Sequence, residues 1–226
     1  MAEADLQVGA VRGPGPWRAV LPDFEVDIGL LPNLELDLDG AYAIEGPETG
    51  PFSFDHAAPD SFFPSLKIGI FDDTAARPGI AVAAGIQLGP KLPVAAESHG
   101  VGFEALALGG MAWRGCHAAL NLGGFVDPSP DAASPRAKGV ELGLDIDLGL
   151  DSRHRFSLTG EVSAVRFISA DPNQLVTTGG LTWSASEQLD ISLVALAGFL
   201  SGSDRYGLLL GLSPKFRLFH SPAATS

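Results

Sequence analysis

The sequence predicts an all-β protein, an antiparallel transmembrane β-barrel of about twelve strands with short periplasmic turns and longer extracellular loops. Three observations carry this. Apolar residues recur with a period of two, the links between the alternating segments are short and long in turn, and aromatic residues gather at segment ends. Val140–Leu150 alternates without a fault, and Asn33–Asp39, Phe24–Leu30 and Leu189–Leu193 do the same. Successive side chains of a strand point to opposite faces, so each stretch is a strand with one apolar and one polar face.

Twelve such segments follow in order: 5–12, 17–31, 33–45, 62–71, 79–89, 100–113, 116–126, 138–150, 154–167, 174–185, 187–200 and 205–218. The first has the weakest pattern. Strands of roughly ten residues cross a bilayer at the usual tilt. Tight links fall at Pro32, Arg114-Gly115, Asp151–Arg153 and Ser184–Glu187, with a somewhat longer one at Asp72–Pro78. Wider loops rich in Pro, Gly, Ser and Asp fall between them, at Gly46–Ser61, Pro90–His99, Asp127–Ala137 and Ile168–Asn173. Those residue types break strands. Short turns at one end and long loops at the other characterise outer-membrane barrels. An even strand count then puts both termini at the periplasmic end.

Aromatic residues prefer the two membrane interfaces. Phe71, Trp113, Phe156, Trp183 and Phe216 mark the periplasmic strand ends. Trp17, Tyr42, Phe62, Phe63, Phe125, Phe167, Phe199 and Tyr206 mark the outer ones. The last segment, Tyr206–Phe216, puts Leu208, Leu210, Leu212 and Phe216 on one face. It resembles the terminal strand of outer-membrane proteins, which ends in an aromatic residue and is read by the barrel-assembly machinery. Either Phe216 or Phe219 fills that place. The chain reads as one domain over 1–226, with the barrel over about 5–218 and a tail over 219–226.

Composition agrees. Hydrophobic residues are 46% and charged ones 18%, with 28 glycines. This excludes intrinsic disorder and disfavours a helical bundle. A net charge of −13 repels nucleic-acid phosphate. No apolar run approaches the length of a transmembrane helix, about 20 residues. The N-terminus lacks signal-peptide character, so the outer-membrane reading expects a signal already removed. A single cysteine, Cys116, excludes an internal disulfide and reads as a small buried residue. No cofactor or metal is expected.

Should the apolar faces meet lipid, the opposite faces line the lumen. That parity places Glu25, Asp27, Glu35, Asp37, Asp39, Glu104, Glu141, Asp145, Asp147, Glu161 and Asp190 inside, with only Lys67 and Lys215 among the bases of the wall. Arg12, Arg18 and Arg136 are loop bases that could fold in. So many carboxylates cannot sit dry and ionised. The lumen is wet, or cations and loop bases neutralise it, or some acids hold protons. Acidic rings select cations, while a polar interior is also the default of this architecture. Leu106, Leu108, Val194, Leu196 and Leu209 share the inward parity, as an apolar patch or as the packing of a closed barrel.

Catalysis has weak support. His154 with Ser157, and His117 with Asn121, are the nearest nucleophile-and-base candidates, and neither pair has an orienting third group. Asp55, His56 and Asp60 in one loop and Glu97 with His99 in another are solvated loop residues by default. Gly109-Gly110, Gly123-Gly124 and Gly179-Gly180 lie inside strands, without the helix a phosphate loop needs.

Leu31–Asp39, Pro64–Ile70, Pro78–Ala84, Ala119–Gly123 and Thr182–Ile191 resemble a proteobacterial family of outer-membrane barrels, the transporters of the MetA-pathway of phenol degradation type. The resemblance runs from about residue 17 to 218. It implies an outer-membrane channel for small molecules, hydrophobic or aromatic ones included, with no catalytic residues. The expected function is therefore passive uptake through an acid-lined lumen gated by loops 46–61 and 127–137. The alternative is a non-conducting structural or ligand-binding barrel.

Overall fold

A computed structural model describes residues 2–13, 15, 17–46, 57–72, 80–95, 97–151 and 155–216. Twelve strands form one closed barrel: β1 Ala2–Arg12, β2 Trp17–Leu31, β3 Leu34–Glu45, β4 Ala57–Asp72, β5 Ile80–Gly89, β6 Phe103–Trp113, β7 Cys116–Val126, β8 Lys138–Gly149, β9 Phe156–Phe167, β10 Gln174–Ser186, β11 Leu189–Gly198 and β12 Tyr206–Phe216. Each strand pairs antiparallel with its neighbours in sequence, and β1 closes the ring against β12. Closure leaves no unpaired sheet edge.

The alternating residues sort by face. On β8, Val140, Leu142, Leu144, Ile146 and Leu148 are exposed outward, opposite Leu120 and Leu122 of β7 and Leu158 and Val162 of β9. Among the described residues the buried apolar set is small: Ala2, Val11, Ala43, Ile44, Phe63 and Phe125. A water-soluble barrel packs its large apolar residues inward. Here they cover the outside, which is the arrangement for a lipid solvent.

Three turns at the end where β1 begins and β12 ends are tight. Pro32-Asn33 and Glu187-Gln188 close two hairpins. Arg114 and Gly115 both adopt positive φ, 46° and 80°, between β6 and β7. That pair of angles makes the turn twist with its strands, and glycine meets it without strain.

Several boundaries differ from the sequence expectation. β4 begins at Ala57, not residue 62, because a bulge at Ala41/Tyr42 keeps 57–59 in register with β3. Pro59 and Asp60 read as loop residues, and pairing with β3 overrides that preference. β1 starts at Ala2, held on both sides by β12 and β2. β6 starts only at Phe103, since Gly100 takes φ 76° and ends the extended run.

The aromatic girdles also need correction. Trp113, Phe156, Trp183 and Phe216 are exposed at one end, and Trp17, Tyr42 and Tyr206 at the other. Trp17 and Tyr206 meet edge-to-face at 5.4 Å. Phe63 and Phe125, however, are buried on the inner face, where parity rather than position along the strand decides. Phe125 packs edge-to-face on Phe167 at 5.6 Å, and exposed Phe103 stands at the rim instead. Phe219 and the tail lie outside the described residues.

Candidate functional site

Strand pairing brings the charged residues of the inner face together. Glu25 is opposite Asp39, and Asp27 opposite Asp37, across β2 and β3. Asp145 is opposite Glu161, and Asp147 opposite Thr159, across β8 and β9. Glu35 faces Lys67, Asp190 faces Ser213, and Lys215 faces Glu3. Glu104 and Glu141 share this face with Phe125 and Val165.

Three lysines divide these acids. Lys67 on β4 sits within 2.8 Å of Glu25 and Asp27, 3.5 Å of Asp37 and 3.8 Å of Glu35. Asp37 is only 1% exposed. Its Oδ2 accepts hydrogen bonds from Ser65 Oγ at 3.1 Å and Gln87 Nε2 at 2.5 Å, while its Oδ1 has no hydrogen-bond partner among the described residues. At the terminal end of the barrel, Lys215 pairs with Asp190 at 2.8 Å and Glu3 at 3.8 Å.

The third lysine, Lys91, comes from the loop between β5 and β6. It pairs with Glu104 and Asp127, both at 3.0 Å, and lies 4.8 Å over the Phe125 ring. Burial opposes its charge, but the Glu104 and Asp127 carboxylates outweigh burial and hold its pKa above the ordinary lysine value. The sequence reading missed this residue. It lies in a Pro-rich link without any period, so no parity assigns it a face. Of the bases expected to fold in, Arg136 instead ties the loops, donating to the backbone carbonyls of Asp127 and Val101. Arg18 joins Asp60 at 3.0 Å and Asp204 at 2.9 Å at the loop end.

The loops on this side form a linked unit. His99 and Ser129 exchange backbone hydrogen bonds of 2.8 Å, joining loop 90–102 to loop 127–137. Within the second, Asp131 accepts from the Ser134 hydroxyl and from the backbone N–H groups of Ala133 and Ser134. Those bonds lower the Asp131 pKa.

With the lysines so engaged, a cavity of about 1020 Å³ remains inside the barrel. Glu25, Asp39, Asp145, Asp147, Glu161 and Asp190 line it, joined by Glu3, Asp5, Asp23 and Asp72. No lysine or arginine among the described residues lines it. Asp27, Glu35, Asp37, Glu104, Glu141, Lys67 and Lys215 share the inner face but fall outside this lining. Two of the four added acids had a signal: Asp5 and Asp23 hold the inward parity of their strands, whereas Glu3 precedes the first alternating segment. Asp72 gains its face through a bulge at Gly69/Phe71.

The rest of the lining is uncharged. Val176, Val194, Leu196 and Leu209 form an apolar panel from β10–β12, and Ala81, Ala83 and Ala112 supply small residues from β5 and β6. Leu106 and Leu108 face inward opposite Gln87 and Gly85 but do not reach this cavity. His117 lines the cavity opposite Asp147, and Asn121 is opposite Gly143. His154, Asp55 and His56 lie outside the described residues. The Glu25–Asp27–Asp37 group has metal-like spacing, with candidate ligand atoms within 4.8 Å of one another. Lys67 holds the cation position there.

A NanC porin superposes with a TM-score of 0.62 at 8% identity, over 95% of this chain and all of that one. The fold is that of a porin-type barrel. A KdgM porin gives 0.58 at 11% identity, over 95% of this chain and 99% of that one. The same porin, solved in complex with disordered oligogalacturonate, gives 0.57 at 10% identity, over 95% and 99%. No family model matches the sequence. No curated protein matches it either. The porin-type architecture is thus shared at 8–11% identity.

Proposed function

We propose that this chain is a bacterial outer-membrane channel for passive entry of small cationic or neutral solutes. The observation that supports it best is the cavity lined by ten carboxylates and by no described lysine or arginine. Ionised groups at that density require water or mobile cations around them. A wet interior with a single sign of charge attracts counter-ions and repels co-ions. The KdgM porin was solved with oligogalacturonate, an acidic saccharide. An interior of this sign disfavours such a solute, so the shared fold extends to a different class of cargo. The apolar panel of Val176, Val194, Leu196 and Leu209 supports a solute with an apolar or aromatic body, in keeping with the resemblance to phenol-pathway transporters. The link between loop 127–137 and loop 90–102 supports gating of the outer mouth by the former; most of the other expected gate, residues 47–56, lies outside the described residues. The exposed Phe216 at the end of β12 supports recognition of the terminal strand by the barrel-assembly machinery.

The test is reconstitution in a planar bilayer under a KCl gradient. Steady steps with a cation-selective reversal potential are expected. Asp145→Asn with Asp147→Asn should move that potential toward zero. Asp37→Asn should move it little, because Asp37 is buried behind Lys67. Insertion without conductance would overturn the channel reading in favour of a closed barrel.

A further inference from the structure

Lys67 holds a position that oxygen ligands otherwise define. Its ammonium contacts Glu25 Oε1 and Asp27 Oδ1 at 2.8 Å and lies 3.5 Å from Asp37 Oδ2. With it in place, the ligand oxygens of these three residues lie within 4.8 Å of one another. Calcium binds oxygen at 2.3–2.6 Å, so two ligands of one ion stand up to about 5 Å apart. Magnesium, at 2.0–2.1 Å, requires about 4 Å or less. A spacing within 4.8 Å falls in the range that calcium admits. A second observation points to an unmet ligand need. Asp37 is buried to 1% exposure, yet Ser65, Gln87 and Lys67 all engage its Oδ2 and leave Oδ1 without a hydrogen-bond partner among the described residues.

We propose that Lys67 is a tethered cation that keeps calcium out of the Glu25–Asp27–Asp37 cluster. Its consequence for permeation rests on the channel reading above: the wall carries a cation that cannot leave, so monovalent ions pass without a divalent ion lodging beside them. An ammonium fixed by its own strand supplies one positive charge to the cluster at any external calcium concentration. A free ion would supply charge there only by binding, and would then have to dissociate before the next solute passed.

The test is calorimetric titration of the whole, detergent-solubilised barrel with calcium and then magnesium. Lys67→Gln should bind one calcium per barrel at least tenfold more tightly than the unaltered protein, and more tightly than it binds magnesium. Lys67→Arg should behave like the unaltered protein, and adding Asp27→Asn to Lys67→Gln should remove the gain. Lys67→Gln with Glu35→Gln deletes a base and an acid together, keeps the three ligands, and answers the question should the single variant fail to fold. Calcium binding by the unaltered barrel as tight as by Lys67→Gln, or no gain in either neutral variant, would overturn the proposal. Binding is read without current, so a barrel that fails to conduct refutes the channel reading alone. In conducting barrels, millimolar calcium should reduce potassium current through Lys67→Gln and spare the unaltered protein.

Discussion

Leu144→Arg tests whether the outer face meets lipid. Leu144 lies near the middle of β8, exposed outward between Leu120 of β7 and Val162 of β9. Both neighbours are apolar, so an arginine there finds no counter-charge on the surface. At the midplane of a bilayer such a residue on a barrel's outer face costs about 2–4 kcal/mol, falling to about 0–1 near the interfaces. Each 1.4 kcal/mol is tenfold, so the folding equilibrium in lipid should shift by about 30- to 700-fold. Val140→Arg is the internal comparison. Val140 lies two residues from Lys138 and opposite Arg166, close to the loop end, and should change stability by less than about 1 kcal/mol. The assay is reversible urea unfolding in liposomes, followed by tryptophan fluorescence and by the gel shift of the folded barrel. In a water-soluble barrel, an exposed leucine exchanged for arginine moves stability by no more than about 0.5 kcal/mol. Equal and small effects at both positions would refute the lipid-facing assignment.

Other outcomes follow from the inner face. Phe125→Ala removes a buried ring that stacks on Phe167 and carries Lys91 above it, and should cost about 3–5 kcal/mol in the same unfolding assay. Lys91→Met leaves Glu104 and Asp127 without their shared base. That should cost about 1–3 kcal/mol, between the limits for exposed and fully buried pairs, and should speed proteolysis of the 90–102 loop. Glu161→Lys puts a lysine into a cavity whose described lining holds no lysine or arginine, so the reversal potential should move toward anions further than with the neutral Glu161→Gln.

Much of the architecture was legible because a period-two pattern fixes faces as well as strands. Val140–Leu150 alternates so regularly that β8 and its two faces could be written from the residues alone. The pattern failed where backbone pairing overrode it. Residues 57–61 carry Pro59 and no alternation, yet a bulge at Ala41/Tyr42 extends β4 through them. Position along a strand also proved a poor guide to girdles, since Phe63 and Phe125 stand at the right height but face inward. Lys91 was invisible for the same reason in reverse. It has no strand parity, and only the fold of its loop brings it to Glu104.

Placement of the few bases determines the character of the interior more than the net charge of −13 does. Lys67 is held by acids of β2 and β3, Lys91 by Glu104 and Asp127, and Lys215 by Asp190 and Glu3. Each is thereby kept from the lining, while Asp39, Asp145, Asp147 and Glu161 line it with no base within ion-pair distance among the described residues. Had the same lysines stood opposite Asp145 and Glu161, composition would be unchanged and the cavity field largely cancelled. Exchanging a neutral residue for lysine at a lining position should therefore weaken cation preference more than adding the same lysine to a loop, since interaction energy falls with distance and with salt screening. Thr159→Lys beside Asp147 and Ser134→Lys in loop 127–137 carry equal charge and differ only in place. Equal shifts of reversal potential from the two would mean that net charge alone governs the barrel, and that the segregation of its lysines has no part in selectivity.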